Sequence, residues 1–177
     1  MTIEMIEKNA TFAILLCATC FGYKPPKIQI VVMEDDEEGL VRAYTRPNTP
    51  SLIYASEKWL MNASTSELIG VLCHEGRHLY QFMQLKWFRT HHVKCEINKE
   101  TYEQWNREIH QKTIVNKKIT DDFQWGIEID AEAFSAAVVK YTLNSSVKLI
   151  KEIKFQVEAL IPGFETKYHL STYQFKQ

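Results

Sequence analysis

The longest amphipathic stretch of the sequence lies between residues 65 and 87. Its large apolar side chains recur every three or four residues, which places them on one face of an α-helix. They are Leu68, Leu72, Leu79, Phe82 and Leu85. Ser64 precedes the stretch and Glu67 follows three residues later, a capping box in which the serine hydroxyl accepts from a free backbone N–H and the glutamate reaches back. We therefore predict a long helix that begins after Ser64.

Weaker patterns on either side of this helix predict a mixture of strands and further helices. Before it, apolar spacing indicates a helix over residues 2–20, and runs rich in β-branched residues indicate strands at 28–33, 40–44 and 51–55. After it, helices are expected at 101–109, 123–143 and 147–160, the last ended by Pro162 and Gly163. No repeat or linker divides the chain, so we expect a single α+β domain over residues 1–177, with a small mixed sheet followed by helices.

The long helix contains an H-E-x-x-H motif, His74-Glu75-Gly76-Arg77-His78. Residues four apart stack on one helix face, so the two imidazoles can converge on one metal ion. Glu75 can then reach a water in an open coordination position and accept its proton. Two histidines and a glutamate in an apolar stretch cost free energy to bury without partners, so a metal site explains them better than an exposed polar stripe does.

A hydrolytic zinc site normally has three protein ligands and a water, so a third ligand is expected downstream. The best candidate is Glu128, within the 123–143 helix. Glu132 shares its helix face, and either Glu132 or Asp130 could hydrogen-bond a ligand imidazole. The alternatives for the third ligand are His91, His92, His110 and Asp121.

Two further residues of the motif helix bear on the site. Gln81 lies three residues beyond His78 on nearly the same face, and we expect it to line a cleft. Gly76 costs the helix about 1 kcal/mol relative to alanine, so either another element approaches it closely or the glycine is tolerated without a role.

The two motif segments together resemble a known group of enzymes. The H-E-x-x-H motif followed by Glu128-Ile129-Asp130-Ala131-Glu132-Ala133-Phe134-Ser135-Ala136 is similar to the gluzincin-like metallopeptidases, such as the HtpX-like and ImmA/IrrE-type proteases. The resemblance covers about 14 residues in two helices.

The resemblance implies a zincin-like fold and a peptide or protein substrate. It implies Zn²⁺ held by His74, His78 and Glu128, and a zinc-bound water activated by Glu75 as the general base. It also suggests that a side chain from the C-terminal part stabilises the oxyanion, for which Tyr168, His169 and Tyr173 are available. The alternatives are a non-catalytic zincin-fold binding or regulatory protein, for example of phage or mobile-element origin, and a zinc hydrolase that acts on a bond other than a peptide.

Charge and composition narrow the classes of partner. The formal net charge is −1, from 21 basic and 22 acidic residues, which gives no electrostatic case for nucleic acid. The acidic run at 34–38 is typical of a solvated turn. The apolar stretch at 10–21 is too short to cross a membrane and lacks a basic leader, and Cys17 and Cys20 fit small buried helix residues. We therefore expect a cytoplasmic protein that binds neither nucleic acid nor membrane.

Overall fold

The computed structural model describes residues 1–32, 42–49, 51–114 and 126–175, without the side chains of 112–114. The acidic run at 34–38, Asp121 and the first residues of the expected 40–44 strand and 123–143 helix lie outside the described residues. Within them the α+β prediction is confirmed, with six α-helices and a three-stranded sheet.

The elements are, in chain order, α1 Ile3–Phe21, β1 Lys27–Val31, β2 Ala43–Thr45, β3 Leu52–Ser56, α2 Glu57–Asn62, α3 Thr65–Arg89, α4 Lys99–Ile114, α5 Gly126–Leu143 and α6 Lys154–Tyr168. A short 3-10 turn, Leu170–Thr172, follows α6.

The sheet is mixed, as the sequence predicted, with the strand order β1-β3-β2. The central strand β3 runs parallel to β1 and antiparallel to β2, with Ile53 opposite both Ile28 and Thr45. Among the described residues β2 therefore pairs on one side only, and it contacts α3. This contact places the edge of the sheet beside the H-E-x-x-H helix.

Helix α3 is the central element, because α1 and α5 both pack along it. The Ser64 hydroxyl accepts from the Glu67 backbone N–H at 3.2 Å, as the capping box predicted. The other half of the box is not formed, because the Glu67 carboxylate accepts instead from the indole N–H of Trp59 at 3.1 Å. One continuous hydrophobic core joins α1, β3, α2, α3, α5 and α6, and a smaller cluster of Leu85, Trp105 and Ile127 attaches α4.

Small residues let α5 approach α3 closely. The buried face of α5 is rich in alanine, and the Ser135 hydroxyl donates to the carbonyl oxygen of Gly70 at 2.8 Å. A Cβ on Gly70 would lie 3.3 Å from Ser135 Oγ and from a methyl group of Val139. This close approach brings the first turn of α5 over the motif.

The prediction that Pro162 and Gly163 end the last helix is wrong. Helix α6 begins at Lys154 and continues through Pro162 to Tyr168. Proline removes one backbone donor from the helix interior, but Val157, Ile161 and Phe164 are buried on one side of α6 and hold it against the core. Helix α2 was not predicted, and α4 is longer than the expected 101–109 segment.

No helix in the described part of the chain combines the length and the apolarity that crossing a membrane requires.

Candidate metal centre

His74 and His78 lie one turn apart on α3 and point toward the same region of space. Their Nε2 atoms are 3.0 Å apart, and the two rings meet almost at right angles. His78 is 7% exposed, so its imidazole lies inside the protein. The i, i+4 spacing of the motif therefore produces the convergence that the sequence predicted.

Glu128, in the first turn of α5, completes a group of three ligand atoms. Its Oε2 atom lies 3.4 Å from His74 Nε2 and 3.3 Å from His78 Nε2. With metal–ligand bonds of about 2.0–2.1 Å, neighbouring ligand atoms of a tetrahedral site lie about 3.3 Å apart. His74, His78 and Glu128 could thus hold a metal ion with little rearrangement.

The second nitrogen of each imidazole has a polar partner on the protein. His74 Nδ1 lies 3.3 Å from Glu132 Oε2, one helical turn beyond Glu128. His78 Nδ1 lies 2.7 Å from Gln81 Oε1. Such contacts fix the rotation of ligand imidazoles and leave their other nitrogen directed at the metal position.

Asp130 contacts neither imidazole, although the sequence had offered it as an alternative to Glu132. Its carboxylate accepts two hydrogen bonds from Arg77, at 2.8 and 3.0 Å, and one from Gln81 at 2.6 Å. The expectation that Gln81 lines the cleft is also wrong, because the side chain is fully buried between α3 and α5. Gln81 instead contacts His78, and its position three residues after His78 was the only feature of the sequence that indicated this contact.

The carboxylates dominate the electrostatics of the centre. Burial lowers the pKa of His74, but the hydrogen bonds with Glu128 and Glu132 and the nearby charge of Glu75 outweigh it and raise the pKa to about 10. Burial raises the pKa of Glu128, but the adjacent His78 and His74 hold this pKa well below its usual range. The centre therefore favours a positive charge at the position where the three ligand atoms meet.

Glu75 faces the same cleft as the three ligands. The cleft has a volume of about 330 Å³ and is lined by residues of β2, α3, α4 and α5, among them Thr45, Phe82, Ile109 and Ile127. Glu75 is 8% exposed, and its Oε2 accepts a hydrogen bond from the Thr45 hydroxyl at 3.0 Å. The carboxylate is therefore oriented at the edge of β2, in reach of a molecule that enters the cleft.

The other histidines proposed as ligands lie elsewhere. His91 and His92 are exposed beyond the end of α3, where His92 stacks on Trp87. His110 is exposed on α4. Within the described residues, His74, His78 and Glu128 are the set brought together, and Asp121 lies outside those residues.

The C-terminal candidates for stabilising an oxyanion do not line the cleft. The Tyr168 hydroxyl accepts from Arg77 at 3.3 Å, and its ring packs against Phe21, Phe134 and Phe164. His169 is the left-handed residue that ends α6. The aromatic residues at this end of the chain mainly complete the core.

Comparisons of the chain with models of known protein families, with curated proteins and with solved structures found no match.

Proposed function

We propose that the chain is a zinc-dependent metallopeptidase-like hydrolase with a zincin-like fold. The observation that carries the proposal is the convergence of His74 Nε2, His78 Nε2 and Glu128 Oε2, beside an oriented Glu75 carboxylate. Two imidazoles and one carboxylate, with room for a further ligand, are a donor set typical of catalytic zinc. When bound, Zn²⁺ supplies a Lewis acid that polarises a carbonyl and makes water a stronger acid.

Glu75 is the general base of the proposed reaction. Its Oε2 accepts a hydrogen bond from the Thr45 hydroxyl, which restricts rotation of the carboxylate. A fixed carboxylate beside the metal ligands can accept the proton of an attacking water and return it to the leaving amine. Arg77, the other charged residue of the motif, has no place in this step because it is buried against Asp130 and does not line the cleft.

A peptide substrate is favoured by the position of β2. Ala43, Tyr44 and Thr45 all line the cleft, and among the described residues this strand pairs only with β3. An edge strand can bind an extended peptide through backbone hydrogen bonds, which would hold a peptide bond beside the three metal ligands.

The zinc content of the purified protein is the first test. Wild type, His78→Ala and Glu128→Ala are compared with His110→Ala, which removes an exposed histidine of α4. About one zinc per chain is expected in wild type and in His110→Ala, and a loss of zinc in both other variants. Equal zinc in all four proteins, or no zinc in supplemented wild type, would contradict the proposal.

Hydrolysis is tested separately with Glu75→Gln, which keeps the shape of the side chain and removes its basic charge. The substrates are a quenched fluorescent peptide library and an unfolded protein, and Glu103→Gln, on an exposed face of α4, is the matched control. Glu75→Gln is expected to keep zinc and to lower the rate roughly 10²–10⁴-fold. Zinc binding without cleavage of any peptide would instead support the non-catalytic regulatory alternative.

A further inference from the structure

The buried amide of Gln81 has only one orientation that satisfies its neighbours. Its nitrogen lies 2.9 Å from the carbonyl oxygen of Ile127 and 2.6 Å from Asp130 Oδ2. Both neighbours are acceptors, so the NH₂ group must face them and the amide oxygen must face the opposite way. That oxygen lies 2.7 Å from His78 Nδ1.

This orientation determines the tautomer of His78. An amide oxygen is an acceptor only, so His78 Nδ1 must carry the hydrogen that it donates to Gln81. The lone pair of the neutral imidazole is then on Nε2, the atom that lies beside His74 Nε2 and Glu128 Oε2. We infer that Gln81 is a positioning residue for the metal site, which fixes His78 in the tautomer that can bind the ion; the inference rests on the proposed function.

Gln81 is itself fixed by the ion pair of Arg77 and Asp130. The Asp130 carboxylate accepts two hydrogen bonds from Arg77 and one from Gln81. Donation to an anion polarises the amide and makes its oxygen a better acceptor. The chain of contacts from Arg77 through Asp130 and Gln81 to His78 thus strengthens the imidazole as a ligand.

Helix α3 offers a matched control for removing the amide. Gln84 is also fully buried, one turn further along the helix, but its amide bonds the backbone of the 94–96 segment: the Glu96 N–H donates to its oxygen at 2.7 Å. Methionine is similar in shape to glutamine, so its substitution for either residue removes one buried amide with little change in packing. Only the Gln81 change removes a contact with a metal ligand.

The affinity for zinc separates the two variants. Gln81→Met is expected to weaken binding about 10–100-fold, measured by competition with a chromophoric chelator, and Gln84→Met to leave it within about threefold of wild type. If Gln81→Met and Gln84→Met weaken zinc binding equally, the inference is overturned, because the effect would then come from the loss of any buried polar group.

The tautomer gives a readout that needs neither zinc nor activity. Long-range ¹H–¹⁵N spectra of the wild type at alkaline pH are expected to place the His78 hydrogen on Nδ1, with the signal assigned by its absence in His78→Ala. A hydrogen on Nε2 would overturn the inference even if Gln81→Met failed to fold. If wild type binds no zinc, the proposed function fails, and with it the role of Gln81 at a metal site; the tautomer then decides only whether Gln81 holds the His78 hydrogen on Nδ1.

Discussion

Thr45 Oγ1 donates a hydrogen bond of 3.0 Å to Glu75 Oε2, and this contact joins the edge strand β2 to the helix that carries the metal ligands. The two residues are 30 positions apart, so neither the strand pattern nor the helix pattern indicates the contact. Because Thr45 also lines the cleft, the strand proposed to bind substrate also orients the proposed base.

Thr45→Val should lower the rate of hydrolysis and leave zinc binding unchanged. Valine has nearly the shape of threonine but cannot donate to the carboxylate, and a hydrogen bond to a charged group contributes about 1.5–3 kcal/mol. We expect kcat/KM to fall roughly tenfold or more, measured with the best peptide of the library. Thr45→Ser keeps the hydroxyl and should stay close to wild type; a Thr45→Val protein with full activity would show that the contact does not orient the base.

Gly76→Ala should destabilise the protein, although alanine is the better helix former. A Cβ at this position would lie 2.6 Å from Cys17 Sγ and 3.1 Å from the Tyr23 hydroxyl oxygen, so α1 would have to shift. Overpacking of this kind costs about 1–3 kcal/mol, which exceeds the gain of about 1 kcal/mol in helix propensity. The free energy of unfolding in urea measures the difference.

Gly163→Ala is the control for that prediction. Gly163 is also inside a helix, but a Cβ there would have no atom within 4 Å. We expect this variant to be stabilised by about 0.5–1 kcal/mol. If both substitutions change stability in the same direction, close packing at Gly76 is not what selects glycine.

The metal ligands could be predicted from the sequence because local spacing determines their geometry. His74 and His78 share a face in any helix, and Glu128 is one of three carboxylates near the start of a largely apolar helix. The packing of α5 on α3 then brings these two local patterns together. The contacts of Gln81 with Ile127 and Asp130 could not be predicted, since they depend on the distance and rotation between two helices.

The end of α6, by contrast, could not be predicted from the local sequence. Proline and glycine in succession are typical of a helix end, yet the helix continues for five residues beyond Gly163. The burial of Ile161 and Phe164 on either side of Pro162 offsets the lost backbone hydrogen bond. Local propensity is weak compared with such tertiary contacts, and a single sequence does not reveal them.

Asp130→Asn should destabilise the fold strongly. The Arg77 side chain is 7% exposed, its guanidinium lies over the rings of Tyr80 and Phe164, and Asp130 is the carboxylate that pairs with it. Removing one partner of a buried ion pair leaves an uncompensated charge and costs about 3–5 kcal/mol. Denaturation in urea should show this loss.

Glu103→Gln provides the comparison for the buried pair. Lys99 and Glu103 form an ion pair across one turn of α4, 3.6 Å long, with both side chains more than half exposed. Exposed pairs contribute little, so the expected change is within about 0.5 kcal/mol. Similar losses in Asp130→Asn and Glu103→Gln would mean that the Arg77 charge is compensated by other groups.

Cys20 should react slowly with alkylating reagents in the native protein. Burial, with a smaller contribution from Cys17, raises the pKa of the Cys20 thiol from 9.0 to about 12, against the opposing charge of Arg77. A raised thiol pKa means less thiolate at neutral pH, and thiolate is the reactive form. Relative to the unfolded chain, a shift of this size lowers the rate of iodoacetamide labelling about 10³-fold near neutral pH, with a tenfold rise per pH unit. Mass spectrometry of Cys20 in native and urea-unfolded protein measures both rates, and equal rates would show that the thiol is not held in the protonated form.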